Sequence, residues 1–293
     1  MHDVIVIGGS YAGLSAAMQL ARARRDILVV DAGRRRNRFA EASHGFLGRD
    51  GASPAAIADE ARAQLLAYPT VGWRAAKVVA VGGSVDAFTV RDDAGTVSQG
   101  RRLLLAPGVA DELPDLPGLA ERWGRHVFHC PYCHGYEVEG RIGVLAAAPA
   151  SIHQALMLPD WGDTTYFLNG TPPPDDEEMR QLAARGVAVE PAPIRRISGV
   201  ADIELQDGRI VSLGGLFTAT RTHPSTPLAE ELGCTIEHGP TGSYIATDAV
   251  RQTSVTGVFA CGDAARPFGS VAIAVGDGAI AGAGLHRSLM FGP

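Results

Sequence analysis

The chain opens on a short apolar run, Val4–Ile7 in DVIVI, with no polar position breaking it, as a strand buried on both faces requires. GGSYAG follows, and then LSAAMQLARAR, where apolar positions return every three or four residues as on an amphipathic helix. DILVVDAG is a second buried strand, ending on the acid Asp31. The pattern repeats in the middle of the chain. GRIGVLAAAPASIHQALML predicts a strand over Arg141–Leu145 and a helix from about Ser151, and TTYFLNG predicts the next strand. Near the far end, GVFACGDAARPFGSVAIAVGDGAIAGAGLHRSL predicts a strand over Val258–Ala260, a Gly262-Asp263 turn and a small-residue helix from about Ser270. Strands alternating with helices predict an α/β fold.

The first loop has the chemistry of a dinucleotide site. Gly8 makes the tight turn after the strand, and Gly13 lets the helix pack against it. A pyrophosphate would rest on the backbone N–H groups and dipole of the helix start, so Ser10, Tyr11 and Ala12 join these glycines as candidate contacts. Asp31, with Ala32 beside it, lies where an acid would bond a ribose hydroxyl. One position departs from G-x-G-x-x-G: the middle glycine is Ser10, although Gly9 beside it keeps the turn permissive. At the other end, Gly262, Asp263, Ser270 and Val271 suit the ribityl and pyrophosphate of FAD. Taken alone they also read as an ordinary strand–turn–helix; their pairing with the first loop favours FAD.

Composition narrows the partners. The 293 residues, 46% apolar and 20% charged, suit a folded protein with one large or two medium cores. A net charge of −6 argues against nucleic acid or an anionic membrane as partner. No apolar run approaches the ~20 residues of a membrane span. MHDVIVIGGS has no basic region before its apolar run, so it is expected to be a strand and not a signal peptide. Four cysteines do not make a secreted disulfide framework in a chain of this size, and a cytoplasmic location is expected.

Two of those cysteines stand in VFHCPYCHGYE, Val127–Glu137. Zinc would need two more ligands; Cys234 and Cys261 are isolated, and His129 and His134 are too close in sequence to the pair to make an ordinary finger, so no metal is expected. A CxxC at a helix start suits redox work. The dipole and free N–H groups stabilise a thiolate, Pro131 is tolerated in the first turn, and the spacing lets the sulfurs reach each other. His134 can accept a proton that a dithiol must shed. His129 is the weaker candidate. Cys234 and Cys261 are simplest as small core residues.

Together these features resemble the low-molecular-weight thioredoxin reductases, a family of FAD-dependent pyridine nucleotide-disulfide oxidoreductases. The resemblance rests on VIGGSYAGLSAA, LLLAPGV, the cysteine pair, THPSTPL and GVFACGDA, and it spans nearly the whole chain. It implies two Rossmann-like, three-layer nucleotide-binding domains, the second inserted into the first. An FAD domain would comprise 1–115 and 221–293, with an insert at 116–220 carrying the CxxC and LPDLPGLAERWG as the first crossing. It also implies cofactor contacts at His44, Val78, Ala106, Pro107 and Gly108, and a homodimer. The family's residue after the second cysteine is Asp; here it is His134, and CPYCHGYE looks more like the dithiol oxidases that close disulfides in gliotoxin- and holomycin-type natural products and pass electrons to O2.

The insert should repeat the glycine loop if it takes NADPH. Ala146, Ala148 and Ser151 stand where the glycines would fall, Pro149 removes one N–H, and the next strand runs into TPPPDDEEM, whose acids would repel a 2′-phosphate. The expected function is therefore an FAD-dependent oxidation of a small-molecule dithiol. By analogy with the family, Cys130 exchanges with substrate and Cys133 passes electrons to FAD; His134 moves the proton, and O2 leaves as H2O2. The alternative is reduction of a thioredoxin-like protein with electrons from ferredoxin or NADPH. A flavin-bearing sensor is a third reading, which an exchange-competent dithiol argues against.

Overall fold

The structure, a computed structural model, describes residues 1–292. β1 (His2–Ile7), α1 (Tyr11–Arg22), β2 (Ile27–Asp31), α2 (Pro54–Leu66) and β3 (Val71–Ala75) form a parallel βαβαβ unit in the order β3-β2-β1. A meander follows, of β4 (Val78–Gly82), β5 (Phe88–Asp92) and β6 (Val97–Leu105). β6 is shared: its first half pairs antiparallel with β5, and its second half runs parallel to β1. The apolar runs read from the sequence are explained by the two faces of this sheet. Val4 and Val6 pack with Ile27 and Val29 under α1, while Ile5 and Ile7 pack with Leu28, Val30 and Phe88 on the other side.

The chain leaves this sheet through β7 (Val109–Glu112). The segment LPDLPGLAERWG follows directly on β7. A second sheet is built from β8 (Val127–Phe128), β9 (Ile142–Leu145), β10 (Thr164–Phe167) and β11 (Ala188–Glu190), with α3 (Pro131–His134), α4 (Ser151–Met157) and α5 (Asp176–Ala184) between them. α5 starts on a reciprocal cap, in which Asp175 and Glu178 each accept the other's backbone N–H. β12 (Ile194–Ser198), β13 (Asp202–Leu205) and β14 (Ile210–Val211) form a separate antiparallel sheet, and β15 (Gly215–Thr218) then enters the second sheet between β9 and β8. This sheet is parallel and covered on both faces, by Leu145, Phe167 and Leu216 on one side and Val144, Tyr166 and Phe217 on the other.

The chain returns through β16 (Arg221–Pro224), which pairs antiparallel with β7, Arg221 opposite Glu112 and Pro224 opposite Val109. α6 (Leu228–Glu231) and the hairpin of β17 (Ile236–Gly239) and β18 (Gly242–Ile245) lead to β19 (Val258–Ala260), which closes the first sheet beside β6. α7 (Val271–Phe291) then packs on α1 at a distance only small residues permit. A Cβ on Gly278 would stand 2.2 Å from the Ala12 carbonyl oxygen. Among the described residues no helix is long and apolar enough to cross a membrane.

Candidate active site

The carboxyl ends of β1, β2, β6 and β19 all open onto one side of the first sheet, where turns of an open α/β sheet leave room for a ligand. Two adjoining cavities of about 1210 and 1450 Å3, measured to their open mouths, share Arg34, Arg36, Phe39, Pro107, Asp111 and Trp123 as walls. Gly8, Asp31, Ala32 and Val78 line the second. Ser10, Tyr11, Ala12, His44, Ala106, Gly108, Gly262, Asp263, Ser270 and Val271 line the first, and Pro107 lines both. Of the residues expected at a dinucleotide, only Gly9 and Gly13 face neither. They serve the turn itself. The Gly9 N–H donates to Asp31 Oδ1 at 3.0 Å, and a Cβ on Gly13 would stand 1.9 Å from the Gly8 carbonyl oxygen.

This trench has the features a bound dinucleotide needs. Ser10 begins α1 without a side-chain cap, so the first N–H groups of a twelve-residue helix are free for an anion. Arg35 lines the same wall, and its Nε is buried with no hydrogen-bond partner among the described residues. Gly108, at φ 73°, has nothing within 4 Å of where a Cβ would sit, so the floor is open. Opposite it, the Gly262–Asp263 turn is held by Asp277 of α7, whose Oδ2 accepts the Gly262 N–H at 2.8 Å.

A half-buried charge cluster ties the trench to the crossing strands. Arg36 donates to both oxygens of Asp111, at 2.6 and 2.9 Å, and to Asp263 at 3.3 Å. Thr220, just before the return strand β16, donates to the same Asp111 at 2.8 Å. Burial works against the Asp111 carboxylate, but the hydrogen bonds and charge of Arg36 outweigh it and hold the group below its usual range. Asp263 goes the other way: burial raises it despite Arg36. Arg36 and Asp111 were not among the residues expected from the sequence.

The cysteine pair meets the trench on the wall of the first cavity. Cys130 is the N-cap of α3, Pro131 occupies the first turn, and the two cysteines are joined as a disulfide with their Cα atoms 5.3 Å apart. Cys133 and His134 line the first cavity and Cys130 does not, so the two sulfurs face different surroundings. His134 stacks on Phe128 at 4.4 Å between ring centres. Burial, and then the charge of His44, push its pKa down to about 4, so it is neutral at pH 7 and available as a proton acceptor. His129 lies on the same wall and is pushed down to about 3, first by burial and then by Arg36. His44 reaches across from the loop after β2 to within 3.4 Å of Glu137, just past the cysteine pair. Cys234 and Cys261 are free and buried, as core residues.

In the second sheet, the loop after β9 is arranged differently from the loop after β1. The Ser151 hydroxyl accepts the N–H groups of Ala147 and Ala148, both at 3.1 Å, and Pro149 has none to offer. Arg180, the first arginine beyond the next strand, is exposed and paired with Glu177.

A dinucleotide trench closed at one end by a vicinal disulfide defines a flavin-dependent disulfide oxidoreductase. The model of the pyridine nucleotide-disulphide oxidoreductases matches residues 2–278, and the chain belongs to that family and takes FAD. It is 33% identical to thioredoxin reductase sirT of Leptosphaeria maculans over 98% of this chain and 94% of that one. It is 34% identical to thioredoxin reductase tcpT of Claviceps purpurea, over 96% and 92%. Among solved structures, an oxidoreductase from Agrobacterium tumefaciens is 58% identical, with a TM-score of 0.97 and coverage of 100% and 99%. HlmI is 39% identical, with a TM-score of 0.91 and coverage of 98% and 92%.

Proposed function

We propose that this chain is an FAD-dependent oxidase that closes a disulfide in a small-molecule dithiol. In this reading residues 1–115 and 221–293 hold FAD, and 116–220 carry the redox pair on a nucleotide-type fold that no longer takes NADPH. The observation that carries it is the Ser151 hydroxyl. It consumes the two N–H groups that a pyrophosphate on the second loop would need, so electrons enter through the cysteines.

One thiol of the substrate, as thiolate, attacks the Cys130 sulfur and releases Cys133 as thiolate; the second thiol then closes the substrate disulfide and frees Cys130. Having Cys133 and not Cys130 on the cavity wall supports this division. His134, neutral and fixed against Phe128, accepts the proton the substrate sheds. FAD, when bound, takes the electron pair from the cysteines and passes it to O2, giving H2O2. The products balance as one substrate disulfide and one H2O2 per dithiol and O2.

The test is stoichiometric. With dithiothreitol as probe in air, wild-type protein should release one H2O2 per oxidised dithiol, and Cys130→Ser should release none above background. Peroxide formation that survives Cys130→Ser contradicts the assignment.

A further inference from the structure

His134 has one shortcoming as the base of this reaction. A group whose pKa is held near 4 accepts a thiol proton only briefly, so the proton needs a second carrier to leave the site. The cavity supplies one. His44 and His134 both line it, one from each sheet's half of the molecule. The loop that carries His44 is closed by a Ser43–Ala52 bridge, and the Gly45 N–H donates to Asp50 at 2.8 Å. That fold sets Asp50 Oδ1 at 3.7 Å from His44 Nδ1, and Glu137 Oε1 approaches the same nitrogen at 3.4 Å. His44 Nε2 makes no hydrogen bond to the described residues. The ring is only 20% exposed, whereas Asp50 is 71% and Glu137 42% exposed. An imidazole that is inside the cavity on one side and faces two solvated carboxylates on the other spans the boundary a proton must cross.

We propose that His44 is the second member of a proton relay, taking the substrate's proton from His134 and delivering it to solvent past Glu137 and Asp50. This rests on the dithiol oxidase reading. Each substrate dithiol gives up two electrons and two protons; the electrons reach O2 through the cysteines and FAD, and two protons re-enter from solvent to complete H2O2. The relay is the outward limb of that balance. Glu137 belongs to the turn that follows the cysteine pair, so the exit and the pair share one segment of chain. The carboxylates of Glu137 and Asp50 approach His44, His134 shares its cavity, and none of them is a metal ligand.

The test uses the holoprotein without oxygen, mixed with dithiothreitol in a stopped-flow instrument. His44→Gln, compared with wild type at equal bound flavin, should lower the rate of flavin bleaching by about tenfold or more. Added imidazole should restore the rate in the variant and leave wild type unaffected. Glu137→Gln should slow bleaching less and change its pH profile. After complete reduction, alkylation of Cys130 by iodoacetamide should show the same pH profile in wild type and His44→Gln, because the relay moves protons and does not set the thiolate. A His44→Gln protein bleached at the wild-type rate with an unchanged pH profile overturns the relay. So does slow bleaching that imidazole does not rescue, which would make His44 a flavin-positioning group. If dithiothreitol fails to bleach wild type, the parent reading fails instead, and the two failures are distinct.

Discussion

The hydroxyl of Ser151 accepts the backbone N–H of Ala147 and of Ala148, each at 3.1 Å, so a side chain occupies the place where this fold can hold a phosphate. Ser151 is fully buried, and among the described residues the two N–H groups have no other partner. Ser151→Ala should therefore cost about 1–2 kcal/mol, the loss of a cap-like pair of bonds. That corresponds to a fall of roughly 2–8 °C in Tm for a chain of this size. It should not make the protein responsive to NADPH, because Ala146, Ala148 and the acids of TPPPDDEEM remain. Thermal melts and NADPH titrations of both proteins check this.

Gly8→Ala should empty the FAD site. Gly8 has φ 102°, and a Cβ would stand 2.1 Å from the Ala106 carbonyl oxygen. The ends of β1 and β6 would have to part, at a cost of roughly 2–4 kcal/mol from strain and displaced packing. The visible flavin absorbance per protein should fall to a small fraction of wild type.

Arg36→Met should destabilise the protein by about 3 kcal/mol, because it leaves Asp111 and Asp263 facing each other without their cation. Arg36→Lys should recover only part, lacking the two-pronged contact with Asp111. The sign with pH follows from Asp111. Its folded pKa lies below the ordinary 3.8, so its contribution is present above that value and fades as pH falls through the folded pKa. Acid-induced loss of stability below pH about 4 should be shallower in Arg36→Met than in wild type, as equilibrium unfolding against pH will show.

His134 and His129 predict a second pH dependence. Both are held down, to about 4 and about 3, from the usual 6.5. Below pH 6.5 the unfolded chain binds protons there that the folded chain refuses, so stability should fall as pH falls from 6.5 toward 4. Melts of His134→Gln should lose part of that slope. Flavin bleaching by dithiol should drop by ~100-fold or more in the same variant.

Much of this was legible in the chain. The run Val4–Ile7 and DILVVDAG read as strands because both faces of a parallel sheet are buried, and Ser270 and Asp263 fell where a strand–turn–helix demands them. The cysteine pair announced itself through its spacing. The Arg36–Asp111–Asp263 cluster did not. Its members lie 75 and 152 residues apart along the chain, and the fold brings β7, paired antiparallel with β16, beside the loop after β2. Ser151 was legible as a missing glycine, an obstruction, but not as an acceptor, because that depends on the turn its own hydroxyl closes. The contact of His44 with Glu137 joins a loop of the first sheet to a turn of the second, and no local pattern marks it.

The most direct test of the account follows the visible flavin band of purified holoprotein under nitrogen, with NADPH added to one sample and dithiothreitol to another. The account predicts bleaching by dithiothreitol alone, with the colour returning in air as H2O2 appears. Rapid bleaching by NADPH would contradict it, showing that the second loop still accepts a nucleotide despite Ser151.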